Sequence, residues 1–325
     1  NKTNSRVDLL SSQLFKSMDT RASGTLSFDE ITKPILNLGI RLTHPRLSSF
    51  INSLKNARNP EKITLEEFHI AAEKQMIFVE KIYQGNLIIP DFETFCKKIE
   101  HIYLSTKENK GGKVADYIPQ LKRVDPEKYA VALCTIDGQN YALGDYTDPF
   151  CVQSSCKPIN YCIAMESFGS ANVHNHVGHE PSGKRFNELS LNEKGLPHNP
   201  LINSGAIMTC SMIKPEFNMA DRFDYVQKVW KDLTGNEQVS FNNSVYLSER
   251  ATADRNFALG YFMRENKAFP EKTNLLETLE FYFQCCSIEL NASAMANLAG
   301  TLANGGICPI TNKEMTRFNI SLDEA

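Results

Sequence analysis

Between residues 105 and 113 the chain reads Ser-Thr-Lys-Glu-Asn-Lys-Gly-Gly-Lys, seven polar residues broken by two glycines. A stretch with nothing apolar to bury and two flexible points cannot sit inside a core, so it predicts a linker. The periodicity changes across it. Upstream, apolar residues recur at helical spacing through Val7–Met18, Ile31–Leu38, Leu47–Leu54, Leu65–Phe78 and Phe92–Tyr103. Downstream, Tyr129–Ile136 is β-branched and apolar, and Asp137-Gly138 is a hairpin signal leading into Gln139–Leu143. Helices follow over Ser155–Phe168, Asp221–Leu233, Glu249–Met263, Asn274–Phe283 and Asn291–Ala303. In Asp221–Leu233 the residues Phe223, Val226, Trp230 and Leu233 mark the buried face. The expected organisation is an all-α domain over 1–104, a linker over 105–113 and an α+β domain over 114–325.

Bulk properties narrow the function. A net charge of -3 with dispersed cations leaves no nucleic-acid footprint. No apolar run approaches the length of a membrane span, and no secretory signal or transit peptide is visible. The chain opens on Asn1 rather than Met, as after removal of a leader. Nine cysteines, an odd number without any C-x-x-C, fit a reducing compartment better than a disulfide framework.

Residues 19–30, DTRASGTLSFDE, carry Asp first, Gly sixth and Glu twelfth, the frame of an EF-hand calcium loop. Arg21 holds the third place, where a metal needs an oxygen. Roughly 37 residues on, the segment beginning at Asn56 ends on Ile63-Thr64-Leu65-Glu66-Glu67-Phe68 like a partner loop, again with an arginine, Arg58, third. The pairing predicts two helix-loop-helix units; the ligand set predicts no calcium.

Chemistry concentrates in Gln153-Ser154-Ser155-Cys156-Lys157-Pro158. A serine hydroxyl attacks only when a base removes its proton, and lysine serves as that base when burial keeps it neutral. Ser154 and Lys157 are three apart, close enough on one helix face, and the flanking residues are apolar. The bland alternative is a serine that caps the helix and a solvated lysine. A third segment of the Lys-Thr-Gly kind, used by serine–lysine acyl enzymes, is not found. His174, His176 and His179 lack an acid or cysteine to complete a metal set and read as surface residues.

Longer motifs carry a resemblance. Phe150–Pro158, Gly178-His179-Glu180-Pro181-Ser182-Gly183, Pro197–Ile207, Ser248-Glu249-Arg250 with Asp254–Ala258, and Leu302–Pro309 together resemble the serine-dependent glutaminases, in order, from about Lys113 to Thr311. The helical front with its EF-hand-like pair resembles the animal mitochondrial members. The resemblance implies a β-lactamase/penicillin-binding-like catalytic domain preceded by the EF-hand-like helical domain. It also implies hydrolysis of L-glutamine to L-glutamate and ammonia. By motif, Ser154 is the nucleophile, Lys157 the base, and Tyr117 a catalytic residue that lines the pocket; Tyr117, Ser154, Asn203, Glu249, Asn256 and Tyr282 hold the substrate. A carboxylate at Glu249 suits the substrate's ammonium, and amide and phenol donors suit its carboxylate. Glu249 and Asn256, seven apart, are expected on one face of one helix.

The segment from Lys184-Arg185-Phe186-Asn187 to Leu196-Pro197 resembles the family's gating loop. The resemblance further implies no cofactor, activation by inorganic phosphate, a tetramer built from dimers that extends into filaments, and a mitochondrial location. The family continues past Ala325 with another catalytic tyrosine, a Lys-Ser-Gly strand and an oxyanion donor. Loss of one such donor costs on the order of 10²–10³ in rate, so the full-length protein is expected to be an enzyme and residues 1–325 alone inactive. The alternatives are a penicillin-recognising serine hydrolase of the same fold and a non-catalytic EF-hand-like binding protein.

Overall fold

The computed structural model describes residues 2–315; the segment Ser321–Ala325, at which the chain was expected to stop short, lies outside them. The chain divides into two compact units. One comprises the residues up to Asn109 with Tyr129–Tyr146 and Ala296–Glu314; the other comprises Lys110–Lys128 and Thr147–Met295.

In the first unit, α1 (Lys2–Met18), β1 (Thr25–Leu26), α2 (Phe28–Asn37), α3 (Ser48–Lys55), β2 (Ile63–Thr64) and α4 (Leu65–Ala72) form the paired helix-loop-helix. The two strands align antiparallel, Thr25 opposite Thr64 and Leu26 opposite Ile63. Both helices that leave the loops start on a reciprocal capping box, Ser27 with Glu30 and Thr64 with Glu67, which satisfies two orphan N–H groups each. Phe15, Phe50 and Phe68 meet edge to face in the core beneath.

The first loop shows what Arg21 does. Asp19 accepts the backbone N–H groups of Ser23 at 2.9 Å and Gly24 at 2.7 Å, and Gly24 takes φ +71°, a left-handed conformation that suits glycine. Arg21 forms an ion pair with Glu30, so the third position of the loop supplies a cation to the twelfth.

The helical run expected over Leu65–Phe78 is two helices: a 3₁₀ turn at Glu73–Gln75 separates α4 from α5 (Met76–Tyr83). Then α6 (Phe92–Lys107) runs three residues into the expected linker. The hairpin forms as the Asp137-Gly138 signal predicts: β3 (Ala130–Cys134) pairs with β4 (Asn140–Gly144), and Gly138 has φ +92°. It packs within this same unit. Asp137 accepts the Ile88 N–H at 2.7 Å, and Gln139 donates to the carbonyls of Leu38 and Ile89, both at 3.0 Å.

The second unit contains α7 (Pro119–Lys122), β5 (Phe150–Cys151), α8 (Cys156–Phe168), α9 (Ser170–Val173), α10 (Asn203–Ser211), α11 (Met219–Leu233), β6 (Ser240–Phe241), α12 (Asn243–Ala251), α13 (Asp254–Glu265), α14 (Leu275–Cys286) and β7 (Ile288–Leu290). The short sheet runs β5-β7-β6, all antiparallel. Helix α14 lies at the centre, packed on α8, α10, α11, α12 and α13. Leu279, Phe281 and Phe283 on several of its faces are fully buried, the pattern of a core helix, and only its first turn, at Leu276 and Glu277, is exposed. The last helix, α15 (Ala292–Ala303), starts at the expected Asn291 cap, which accepts the Ala294 N–H at 2.9 Å.

One buried residue escaped the periodicity of α11. Arg222, not Phe223, joins Val226, Trp230 and Leu233 on its inner face. Its guanidinium donates to the carbonyls of Ile213, at 2.6 Å, and Cys210, and lies 4.0 Å from the Phe281 ring centroid. It thereby satisfies carbonyls left open at the C-terminal end of α10 and places a cation where the helix dipole is negative.

Candidate active site

The backbone turns sharply just before the predicted nucleophile. Gln153 has φ +48°, an uncommon conformation for a residue with a Cβ. It opens a 3₁₀ turn, Gln153–Ser155, from which α8 continues at Cys156. Ser155 holds the N-cap position but makes no side-chain cap hydrogen bond, so the hydroxyls of this stretch are not spent on capping. Pro158 stands third in α8, within the first turn, where a missing N–H leaves no bond unmade.

Ser154 is exposed in the wall of a cavity of about 350 Å³ also lined by Tyr117, Asn203, Glu249, Asn256 and Tyr282. Lys157 is buried, 4% exposed, and burial lowers its pKa below that of an ordinary lysine. Its Nζ donates to Asn203 Oδ1 at 2.7 Å, and Asn203 Nδ2 donates in turn to Asn256 Oδ1 at 3.1 Å. Asn203 is fixed by α10, of which it is the first residue. Gly205 makes that placement possible, because a Cβ there would lie 1.8 Å from the Asn199 carbonyl oxygen.

Glu249 is 7% exposed, and burial raises its pKa against the lowering effect of a phenol donor. That donor is Tyr117, whose hydroxyl lies 3.0 Å from Glu249 Oε1 and 2.9 Å from Gln153 Oε1. With one hydrogen to give, the phenol serves one acceptor at a time. Burial and the adjacent Glu249 charge hold Tyr117 well above the usual tyrosine range. Tyr282 is buried, and its phenol is also raised, first by burial and then by Cys286.

All the predicted substrate residues therefore meet at one cavity, and Lys157 stands against it through Asn203. One expectation needs correction. Glu249 and Asn256 do not share one helix: α12 ends at Ala251 and α13 begins at Asp254. Thr252 closes the first helix by donating its hydroxyl to the Ser248 carbonyl at 2.9 Å, and the junction at Thr252-Ala253 turns both residues into the cavity wall. Of the histidine cluster, His179 is exposed and His174 and His176 are half-buried against neighbours. His174 Nε2 lies 2.8 Å from the Tyr161 hydroxyl and its ring stacks on His179 at 3.6 Å, while His176 Nδ1 lies 2.7 Å from the Ala268 carbonyl.

Sequence reasoning assigned no role to several lining residues, among them Gln153, Arg255 and Cys286. The gating-loop motif pointed to Phe186, whose ring centroid lies 5.7 Å from Lys157 Nζ and whose carbonyl accepts the Asn203 N–H at 2.9 Å. Gln153 Nε2 is buried without a partner among the described residues. Cys286 sits 3.8 Å from Cys156, sulfur to sulfur, both as free thiols. No spacing rule connects Cys286 to Ser154; the packing of α14 against the Gln153–Ser155 turn and α8 does.

Comparison with known proteins places these features. The EF-hand domain pattern matches residues 10–90 and the Glutaminase pattern residues 112–320. A putative glutaminase 2 of Caenorhabditis elegans is 44% identical over 301 residues, 88% of this chain and 50% of the relative. The mitochondrial liver isoform of glutaminase from Mus musculus is 39% identical over 290 residues, 88% of this chain and 48% of the relative. The solved structure of the probable glutaminase ybaS superposes with a TM-score of 0.65 at 32% identity, covering 69% of this chain and 72% of that one. The chain spans about half the length of the curated relatives it matches. With an EF-hand domain in front of a β-lactamase-like catalytic fold, the chain belongs to the glutaminase family.

Proposed function

We propose that the protein hydrolyses the side-chain amide of L-glutamine, giving L-glutamate and ammonia, through an ester on Ser154. Lys157, neutral, takes the Ser154 proton as Oγ attacks the amide carbon. The nitrogen then leaves as ammonia, carrying a proton returned by Lys157. Water, deprotonated by the same lysine, cleaves the γ-glutamyl ester. Glu249 receives the substrate ammonium, with Tyr117 steadying its carboxylate, and Asn203, Asn256 and Tyr282 offer donors and acceptors to the rest of the head group.

The observation that carries this reading is the pairing of an uncapped, cavity-facing Ser154 with a buried Lys157 one helical turn on. Burial disfavours the ammonium, which is what a lysine base requires. A buried carboxylate in the same wall favours a cationic head group over a β-lactam. Mitochondrial placement follows the mouse and rat relatives, whose names carry it. Assembly into tetramers and filaments, and activation by phosphate, extend the family resemblance.

The test is ammonia release from L-glutamine by the full-length protein, wild type and Ser154→Ala. We expect turnover in the first and a loss of at least about 10³-fold in the second. Turnover retained by Ser154→Ala contradicts the nucleophile, and hydrolysis of penicillin in place of glutamine contradicts the substrate.

A further inference from the structure

None of the nine cysteines takes part in the proposed chemistry, yet four of them meet at the end of α14. Cys285 and Cys286 are its last two residues, and each faces a thiol from another helix. Cys285 hydrogen-bonds Cys210 of α10, and Cys286 lies against Cys156, the first residue of α8. All four are buried and free. The second pair touches the site. Cys286 lines the cavity that holds Ser154, and Cys156, fully buried, stands 3.8 Å from it, sulfur to sulfur. The Cys156 N–H donates to the carbonyls of Gln153 and Ser154, closing the 3₁₀ turn that presents the nucleophile, and Lys157 follows it directly. Cys286 hydrogen-bonds the phenol of Tyr282, one turn earlier on α14.

We infer that Cys156 and Cys286 are an oxidation site of this cavity: hydrogen peroxide joins them as a disulfide that shifts the Ser154 turn and stops turnover. Peroxide is small enough to enter a space of about 350 Å³, where it meets Cys286. The Cys286 sulfur attacks the O–O bond and becomes a sulfenic acid, and one water leaves. The Cys156 thiol then attacks that sulfur and expels its hydroxyl as a second water. The thiols give up two electrons and two protons, and the peroxide takes up both. Bonded sulfurs stand about 2 Å apart, so Cys156 or Cys286 must move, and either movement reaches Ser154, Lys157 or Tyr282. The hydrogen bond to Cys156, and then burial, hold the Cys286 thiol above the usual cysteine range. It therefore stays protonated and slow to react until peroxide accumulates.

The effect on turnover rests on the glutamine reading above, whereas the bond itself is read by mass. Full-length wild type, Cys156→Ala and Cys156→Ser are treated with hydrogen peroxide and then with dithiothreitol. Non-reducing peptide maps and ammonia release from L-glutamine are recorded at each stage. In the wild type we expect one Cys156–Cys286 disulfide, a loss of about 10²-fold in turnover, and reversal of both on reduction. Each variant should keep most of its own untreated turnover; serine, close to cysteine in size, covers the case of an alanine variant that fails to fold. Absence of that disulfide from the wild type overturns the inference. So does equal inactivation of the variants, or a disulfide that leaves turnover unchanged. A wild type without turnover before treatment removes the glutamine reading instead, and the peptide map alone then decides the oxidation site.

Discussion

Two ionisable side chains set the expected pH behaviour, both through burial. Lys157 must be neutral to accept a proton, and its lowered pKa brings the neutral form in at lower pH than for a free lysine. Glu249 must be ionised to hold an ammonium, and its raised pKa delays ionisation. Both requirements fail as pH falls, so the turnover number and the affinity should each show an acid limb. Glu249→Gln should raise KM for glutamine tenfold or more and remove the limb from KM, leaving that in the turnover number; pH profiles of the two parameters check it. Ser154 and Lys157 were legible because their spacing is a local property of one helix start. Arg255 was not, since its neighbours in sequence give no sign that a helix breaks beside it.

At the scale of elements, the site depends on how α10 and the α12–α13 junction are held. Gly205 allows the 199–200 backbone to lie on α10, so Gly205→Ala should cost about 2 kcal/mol through overpacking and displace Asn203 from Lys157. Urea denaturation measures the first effect, and a fall in turnover at unchanged oligomeric state reports the second. An alanine variant as stable and active as wild type would contradict this. Element identity was readable from periodicity in α8, α11 and α14, where apolar residues repeat around a helix. Boundaries were readable to within a residue for α8 and α15 but not for the run beginning at Glu249. The expected Glu249–Met263 helix is two, because Thr252 turns its hydroxyl back on the chain and ends the first.

The molecule as a whole joins an EF-hand pair to a glutaminase domain. Arg21 pairs with Glu30 inside the first loop, so we expect calcium to leave the thermal transition unchanged and produce no binding heat; tight calcium binding lost on Asp19→Ala would refute that. The EF-hand frame was legible because its turn and caps are encoded within twelve residues. The cavity was legible only as scattered motifs, since its walls come from segments between Tyr117 and Cys286 brought together by α14. In the proposed mechanism, what unites them chemically is the attack of the Ser154 hydroxyl on an amide carbon. The direct measurement is the intact mass and peptide map of the protein after reaction with a diazo-ketone analogue of L-glutamine. The account predicts one covalent adduct, on Ser154, slowed by excess L-glutamate and absent from Ser154→Ala and Lys157→Met. An adduct on Cys286 or any other residue, with Ser154 unmodified, would contradict it.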